Sequence, residues 1–157
     1  MGQEFVIRPE VAGGLGSDSI LDHSVHPPVV HRLHYVFSGW LGDDIVESFP
    51  CYLVSTRLAG AITHAGLSGV RFDDAIVSKD PQFVRFFPEV AASLPEWRWL
   101  RPTGQAHESD FWQMPNGRLV VSAQALEVVR GFNLHHCEVF AESAPGDIAR
   151  SAEPDLR

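Results

Sequence analysis

The chain repeats one pattern at a distance of 67 positions, and this repeat restricts the fold more than any other feature. Residues 54–72 and 121–139 align without a gap, and each copy has an apolar run ending in serine, a helical apolar stripe and a second apolar run. The stripes follow the i, i+3, i+4, i+7 spacing of an amphipathic helix. They consist of Leu58, Ala61, Ile62 and Ala65 in the first copy and Ala125, Val128, Val129 and Phe132 in the second. The pattern predicts a strand, a helix and a strand, twice.

Residues that favour helix ends flank both stripes. Ser55 and Ser122 precede them as N-cap candidates, and Gly66 and Asn133 follow them at positions where helices commonly end in a left-handed residue. A true duplication and two unrelated strand–helix–strand units both account for these signals. The helical connections are long enough to join parallel strands, and such crossovers are right-handed when both strands share a sheet.

The order of elements indicates an α+β fold with a mixed β-sheet. The two strand–helix–strand units cover about residues 51–77 and 118–140, and a central hairpin or meander separates them. Residues 110–113 and 118–121 form a predicted hairpin around Pro115-Asn116-Gly117. We expect one α+β domain over residues 1–141 and a loosely ordered tail over residues 142–157, where polar and small residues replace apolar ones.

Charge and cysteine content restrict the partners and the compartment. Twelve basic and twenty acidic residues give a net charge of −8 without a basic cluster, which argues against a nucleic-acid partner. Cys51 and Cys137 lie in predicted strands, as buried free thiols of a reducing compartment do. Neither a signal peptide nor a membrane-spanning run is evident, so we expect a cytoplasmic protein without a membrane partner.

The candidate catalytic residues lack the patterns that their chemistry requires. Ser55 and Ser122 miss the small neighbours of a nucleophile elbow, so N-capping explains them better. The histidines at 23, 26, 31 and 34 are close in sequence, but strand geometry points His31 and His34 to opposite faces, which is unfavourable for zinc. The Gly-rich tract 13–17 lacks the Lys and Ser or Thr of a phosphate-binding loop. We predict no catalytic residue, no cofactor and no metal site.

Two groups of residues remain as candidates for partner binding. The acids could form a solvated face or a docking surface for a basic protein. The aromatic segment 97–101 is either a corner of the core or a binding patch, because Trp and Arg dominate both kinds of contact. The predicted partner-binding residues are Asp43, Asp44, Glu47, Asp73, Asp74, Trp97, Trp99 and Arg101.

Several segments resemble immunity proteins of bacterial polymorphic toxin systems. The segments that carry the resemblance are Asp110-Phe111-Trp112, Leu119-Val120-Val121-Ser122, Leu126, Glu138-Val139-Phe140, Tyr52-Leu53-Val54-Ser55 and Val70-Arg71-Phe72. Members of that group are similar in being small, acidic, cytoplasmic α+β proteins. The resemblance covers about residues 50–142 and implies neutralisation of a cognate toxin by direct binding, without catalysis or cofactor.

Two other functions stay open at this stage. One is a small metal-assisted or His/carboxylate hydrolase that uses His23, His26 or His135 with one of the acids. The other is a structural subunit of a secretion or phage-like assembly. Stoichiometric metal distinguishes the first from a toxin-binding protein, and self-association distinguishes the second.

Overall fold

The computed structural model describes residues 2–142 and confirms the α+β class, with four helices and thirteen strands in this part of the chain. The helices are α1 (Thr56–His64), α2 (Pro81–Phe86), α3 (Pro88–Ala92) and α4 (Ala123–Arg130). The strands are β1 (Glu4–Arg8), β2 (Gly13–Leu15), β3 (Ile20–Asp22), β4 (Val29–Arg32), β5 (His34–Phe37), β6 (Ile45–Ser48), β7 (Cys51–Ser55), β8 (Val70–Asp73), β9 (Ile76–Lys79), β10 (Trp97–Pro102), β11 (Phe111–Gln113), β12 (Leu119–Ser122) and β13 (Glu138–Glu142). The predicted tail, residues 142–157, lies outside the described residues apart from its first position.

Two four-stranded sheets form the centre of the fold. Sheet I has the order β11-β12-β1-β13, sheet II has the order β6-β7-β10-β8, and all neighbouring strands are antiparallel. In each sheet a helix connects the second strand to the fourth, α4 in sheet I and α1 in sheet II. These two strands are parallel to each other because both are antiparallel to the strand between them. Both predicted units therefore form, each around an inserted central strand.

The strands pair in the same register in both sheets. When β1 is aligned with β10, the residues that pair with them on either side differ by 67 positions, which is the repeat distance in the sequence. The aligned triplets are Val120, Val6 and Phe140 in sheet I and Leu53, Trp99 and Asp73 in sheet II. The repeat is therefore a repeat of structure down to the pairing of individual residues.

The two sheets obtain their central strands from different parts of the chain. Sheet II is formed by one continuous segment, residues 45–102, because β10 follows β6, β7, α1 and β8. Sheet I takes its central strand, β1, from the start of the chain, more than a hundred positions before β11, β12 and β13. Residues 9–44 connect β1 to β6, and residues 103–110 connect β10 to β11. Pairing of β1 in sheet I therefore holds the start of the chain against its second half.

The main hydrophobic core lies between the two halves and follows the same symmetry. Ile7 on β1 corresponds to Leu100 on β10, and Ile62 on α1 corresponds to Val129 on α4. The other buried residues of this core also form equivalent pairs: Ile45 and Phe111, Tyr52 and Leu119, Val54 and Val121, Leu58 and Ala125, Ala59 and Leu126. Both sheets and both long helices therefore bury their apolar faces in one shared interior.

A second layer covers the outer face of sheet II. It consists of the three-stranded sheet β2-β5-β9, the hairpin β3-β4 and the short helices α2 and α3. Leu53, Trp97 and Trp99 of sheet II pack against Tyr35 and Phe37 of this layer. The β5–β9 pair is parallel, so this sheet is mixed. The equivalent face of sheet I carries a smaller apolar cluster of Val6, Trp112 and Val120.

Three details of the predicted elements were wrong. α4 ends at Arg130 with Gly131 as its C-cap and buries Ala125, Leu126 and Val129, so Phe132 and Asn133 lie beyond the helix. α1 buries Leu58, Ala59 and Ile62, because the helix ends at His64 and Ala65 is its exposed C-cap. The predicted strand over residues 70–77 is divided into β8 and β9, which belong to different sheets. None of the helices within residues 2–142 is both long and apolar enough to cross a membrane.

Candidate functional site

Asp43 and Asp44 are buried, so the prediction that they form part of an exposed docking surface was wrong. The exposed fractions are 0 % for Asp43 and 3 % for Asp44. Both residues precede β6 and receive hydrogen bonds from the loop that follows α4. The donor at His135 is 92 positions away from Asp43, so sequence patterning had no means of detecting the contact.

The Asp44 carboxylate connects the start of α1 to the other half of the molecule. Its Oδ1 accepts a hydrogen bond of 2.6 Å from Ser55 Oγ, and Ser55 Oγ in turn caps the helix by accepting the Leu58 N–H. Arg57 donates to both carboxylate oxygens, at 2.9 Å and 2.7 Å. The backbone N–H of Asn133, which follows α4, donates to Oδ2 at 2.9 Å. Both carboxylate oxygens of Asp44 thus accept two hydrogen bonds each.

Asp110 has the equivalent position and makes the reciprocal contacts. Its Oδ1 accepts a hydrogen bond of 2.6 Å from Ser122 Oγ, which caps α4 by accepting the Ala125 N–H. Its Oδ2 accepts the backbone N–H of Ser68, which follows α1, at 2.9 Å. We refer to Asp44 with Ser55 as the first Asp–Ser pair and to Asp110 with Ser122 as the second. Each pair caps one helix and binds the loop that follows the other.

The hydrogen bonds at both pairs favour the ionised carboxylate. Burial opposes ionisation of Asp44, but the bonds from Arg57, Ser55 and Asn133 outweigh it and lower the pKa of this carboxyl below its ordinary value. Burial likewise opposes ionisation of Asp110, and the bonds from Ser122 and Ser68 lower its pKa. Because Ser55 is fully buried and both hydroxyls are engaged as donor and acceptor, these serines act as helix caps rather than nucleophiles.

The aromatic segment is part of the core rather than an exposed patch. Trp97 and Trp99 are 8 % and 5 % exposed, which contradicts their predicted role as surface binding residues. The Arg101 guanidinium lies 4.2 Å from the centre of the Trp99 ring and donates to Asp73 Oδ2 at 2.8 Å. The sequence left both locations open. The tryptophans are buried because the second layer covers this face of sheet II.

The three remaining predicted acids do not form one acidic face. Asp73 lies between Arg101 and Arg71, and the hydrogen bond from Arg101 lowers its pKa. Asp74 is exposed and pairs with Arg98. Glu47 is half-buried, and its burial raises the pKa of the carboxyl to about 7 in spite of the neighbouring Arg8 and Arg118 charges. Only Asp74 is therefore a freely accessible anion, and it has a cationic neighbour.

Five exposed apolar side chains lie in one stretch of the second layer, residues 76–87, which contains none of the predicted binding residues. We call them the exposed flank; they are Ile76, Val77, Val84, Phe86 and Phe87. Phe86 and Phe87 are about 60 % exposed and border an open cavity of about 190 Å³ with Asp80 at its rim. The two adjacent phenylalanines before Pro88 were the available signal, because only Phe83 is needed to bury α2.

The clustered histidines do not meet in space. His34 is buried, with its ring bonded to Ser78 Oγ and to the Asp18 N–H, while His23, His26 and His31 are exposed. Within residues 2–142, the group with metal-ligand geometry is a different one, Glu10 with Asp43 and His136. The structure therefore brings one predicted binding acid, Asp43, together with two residues that the sequence analysis did not select.

The chain matches no protein-family model, and a search of curated proteins found no match.

Proposed function

We propose that this protein neutralises a bacterial toxin by direct binding, as an immunity protein. The resemblance of residues 50–142 to immunity proteins and the net charge of −8 motivate this function. The observation that carries it is the pair of adjacent phenylalanines in the exposed flank, Phe86 and Phe87, because large exposed aromatic side chains beside one cavity are typical of a protein–protein contact. The flank replaces the acids and tryptophans that the sequence analysis selected as the binding surface.

The exposed flank offers two kinds of contact to a partner. β9 lies at the edge of its sheet, where it pairs with β5 on one side, so its other side can accept an added strand. Phe86 and Phe87 lie at the end of α2, border one cavity with Asp80, and can serve as aromatic anchors in a recess of the partner. Ile76 and Val77 on β9 are themselves exposed and can contact side chains of an added strand.

Charge gives the partner its expected chemistry. The excess of eight negative charges attracts a protein with a basic surface and raises the rate of encounter, an effect that salt weakens. Toxins that act on nucleic acids or nucleotides often need basic clefts to bind these substrates. The proposed partner is therefore a toxin domain with a basic surface and an apolar recess.

The experiment uses the C-terminal toxin domain of a large secreted protein, which this proposal expects to be encoded immediately upstream of the gene for this chain. The double variant Phe86→Ser, Phe87→Ser should bind that domain about 10-fold or more weakly and protect cells less well, because both anchors are lost. Val25→Ser, which changes another exposed apolar residue of the second layer, is the matched control and should bind like wild type. Absence of binding by the wild-type chain, or equal binding by both variants, would contradict the proposal.

A further inference from the structure

Three side chains from distant segments converge beside the first Asp–Ser pair. Glu10 follows β1, Asp43 precedes β6 and His136 precedes β13, and one ligand atom of each lies within 4.8 Å of the other two. A zinc ion with ligands at about 2.0–2.2 Å separates tetrahedral donor atoms by about 3.3–3.6 Å, so shifts of about 1 Å bring the three groups to one ion.

The backbone holds these residues firmly in place. The Asp43 carboxylate accepts the N–H groups of His135 and His136, at 3.0 Å and 2.7 Å, and its own carbonyl accepts the Trp40 indole N–H at 2.9 Å. The His136 ring brings its Nδ1 to 3.2 Å from Asp43 Oδ1. Glu10 forms a backbone bridge with Val46 of β6. Preorganised ligands of this kind favour metal binding.

The Glu10 carboxyl has a buried oxygen that lacks a hydrogen-bond partner among the described residues, which independently favours a bound cation. This residue is 7 % exposed, and its Oε1 is buried without a hydrogen-bond partner among the described residues, while Oε2 accepts the Leu41 N–H at 2.7 Å. A buried carboxyl oxygen without a partner destabilises the folded state, and more so when the carboxyl is charged. Burial raises the pKa of this carboxyl, and the nearby Asp43 charge adds to the effect. A bound cation would remove both penalties.

An open cavity gives an ion access to the cluster. The cavity has a volume of about 380 Å³ and is lined by Glu10 and His136, with Glu47 and Glu138 also on its wall. These two acids strengthen the attraction for a cation, although Arg8 on the same wall opposes it. The space also admits water, which completes the coordination of zinc when a protein supplies three ligands.

The equivalent place in the other half of the molecule carries no such group. The alignment of β1 with β10 makes Thr103 the equivalent of Glu10. The alignment of β6 with β11 makes Ser109 the equivalent of Asp43, and the repeat distance of 67 makes Gly69 the equivalent of His136. A Cβ atom on Gly69 would lie 2.6 Å from Ser109 Cβ, so this corner is closed by packing. The fold is thus compatible with small uncharged residues at all three positions, and the charged set requires another explanation.

We propose that Glu10, Asp43 and His136 bind a divalent transition-metal ion, and zinc, which accepts both carboxylate oxygen and imidazole nitrogen, is the probe for this site. The ion would connect the end of β1, the segment before β6 and the loop after α4, and so would bind both halves of the molecule. This site is separate from the exposed flank and does not depend on the proposed toxin binding.

The test is a zinc titration of the full chain without an affinity tag, after chelator treatment, in competition with a chromophoric chelator. Wild type should bind one zinc ion per chain. Glu10→Gln and His136→Ala should each weaken binding by about 10-fold or more, as loss of a metal ligand does. His135→Ala, which removes an exposed imidazole one position away, should bind like wild type.

Thermal unfolding without metal shows whether each variant folds, and added zinc should raise the melting temperature of wild type and His135→Ala but not of Glu10→Gln. Glu10→Gln keeps the shape of the buried side chain, so it provides the decisive result even if His136→Ala fails to fold. The proposal is overturned if wild type binds no zinc, if a folded Glu10→Gln binds with unchanged affinity, or if His135→Ala loses binding equally.

Discussion

The half built on sheet I and the half built on sheet II share a backbone plan but differ in what covers them. Their central strands, crossover helices, buried residues and Asp–Ser pairs correspond position by position. The connection before the hairpin is short in the sheet I half, residues 103–110, and long in the sheet II half, residues 9–44. Within residues 2–142, only the sheet II half has the second layer, which carries the exposed flank.

This comparison separates what the fold requires from what it tolerates. Features present in both halves, such as the caps and the reciprocal bonds to the opposite loop, stabilise the framework. Features present in one half are candidates for function, because the other half shows that the same backbone forms without them. The Glu10, Asp43 and His136 group belongs to this second class. Among the residues that the structure describes, the exposed flank does too.

The largest difference is expected between the two Asp–Ser pairs. Asp44→Ala should lower the free energy of unfolding by about 3–4 kcal/mol, because it leaves buried donors of Ser55 and Asn133 and the Arg57 charge without their acceptor. Asp110→Ala should cost about 2 kcal/mol, because that carboxylate is less buried and has no arginine partner among the described residues. Urea denaturation measures both; equal costs would contradict the stated difference.

Acid should act on the same pairs. The pKa values of Asp44 and Asp110 are lower in the folded state than in the unfolded chain. At a pH between the folded and unfolded pKa values, the unfolded chain therefore binds more protons than the folded protein. Their contribution is present above about pH 4 and disappears as the pH falls through the folded pKa values. In the double variant Asp44→Asn, Asp110→Asn, the free energy of unfolding should fall less steeply below pH 4 than in wild type.

The shared core should respond alike in both halves. Ile62→Ala in α1 should cost about 3 kcal/mol, and Val129→Ala at the equivalent position of α4 should cost about 2 kcal/mol, in proportion to the volume removed. Thermal and urea unfolding provide the measurement. A much smaller cost in α4 would mean that the two helices are not equivalent in the core.

The sequence predicted the features that depend on neighbouring residues and missed those that depend on residues far apart in the chain. Ser55 and Ser122, the hairpin after Asp110 and the α+β class follow from local signals, and all three were predicted. The position of β1 at the centre of sheet I has no local signal, because β1 pairs with strands more than a hundred positions away. Burial of Asp43 was missed for the same reason, since its hydrogen bonds come from a loop 92 and 93 positions away. For Trp97 the sequence kept a core location and a binding patch as alternatives, and the structure places it in the core.

A smaller effect is expected at Glu47, whose position is occupied by Gln113 in the other half. The raised pKa of about 7 means that the folded state holds a proton more tightly than the unfolded chain between about pH 4.5 and 7. This contribution is complete below pH 4.5 and is lost as the pH rises through 7. Glu47→Gln should stabilise the protein by about 1–2 kcal/mol at pH 8 and by almost nothing at pH 4.5.

Gln113→Glu is the matched control for Glu47→Gln. The Gln113 side-chain amide donates to the carbonyls of Pro50 and Gly117, so a carboxylate there should destabilise the protein, and more at pH 8 than at pH 4.5. A Glu47→Gln effect that does not vary between these two pH values would contradict the assigned cause.

The smallest effect is expected at Asp74, the most exposed of the predicted binding acids. Its pairing with Arg98 is solvent-exposed, and Asp74→Ser should change the free energy of unfolding by no more than about 0.5 kcal/mol. Asp73→Ser should cost more, since Asp73 is half-buried between two arginines. A larger cost at Asp74 than at Asp73 would reverse this ranking.

The central claim is that the two sheets fold only together, because β1 from the start of the chain completes sheet I and both sheets share one core. Fragments test it most directly. Cleavage of the chain between Ala92 and Ser93 gives fragment 1–92, which has β1 but lacks β10, and fragment 93–157, which has β10 but lacks β1. Circular dichroism should show each fragment unfolded alone, and the mixture should regain the spectrum and cooperative unfolding of the intact chain as a one-to-one complex. A native-like spectrum with cooperative unfolding from either fragment alone would contradict this claim.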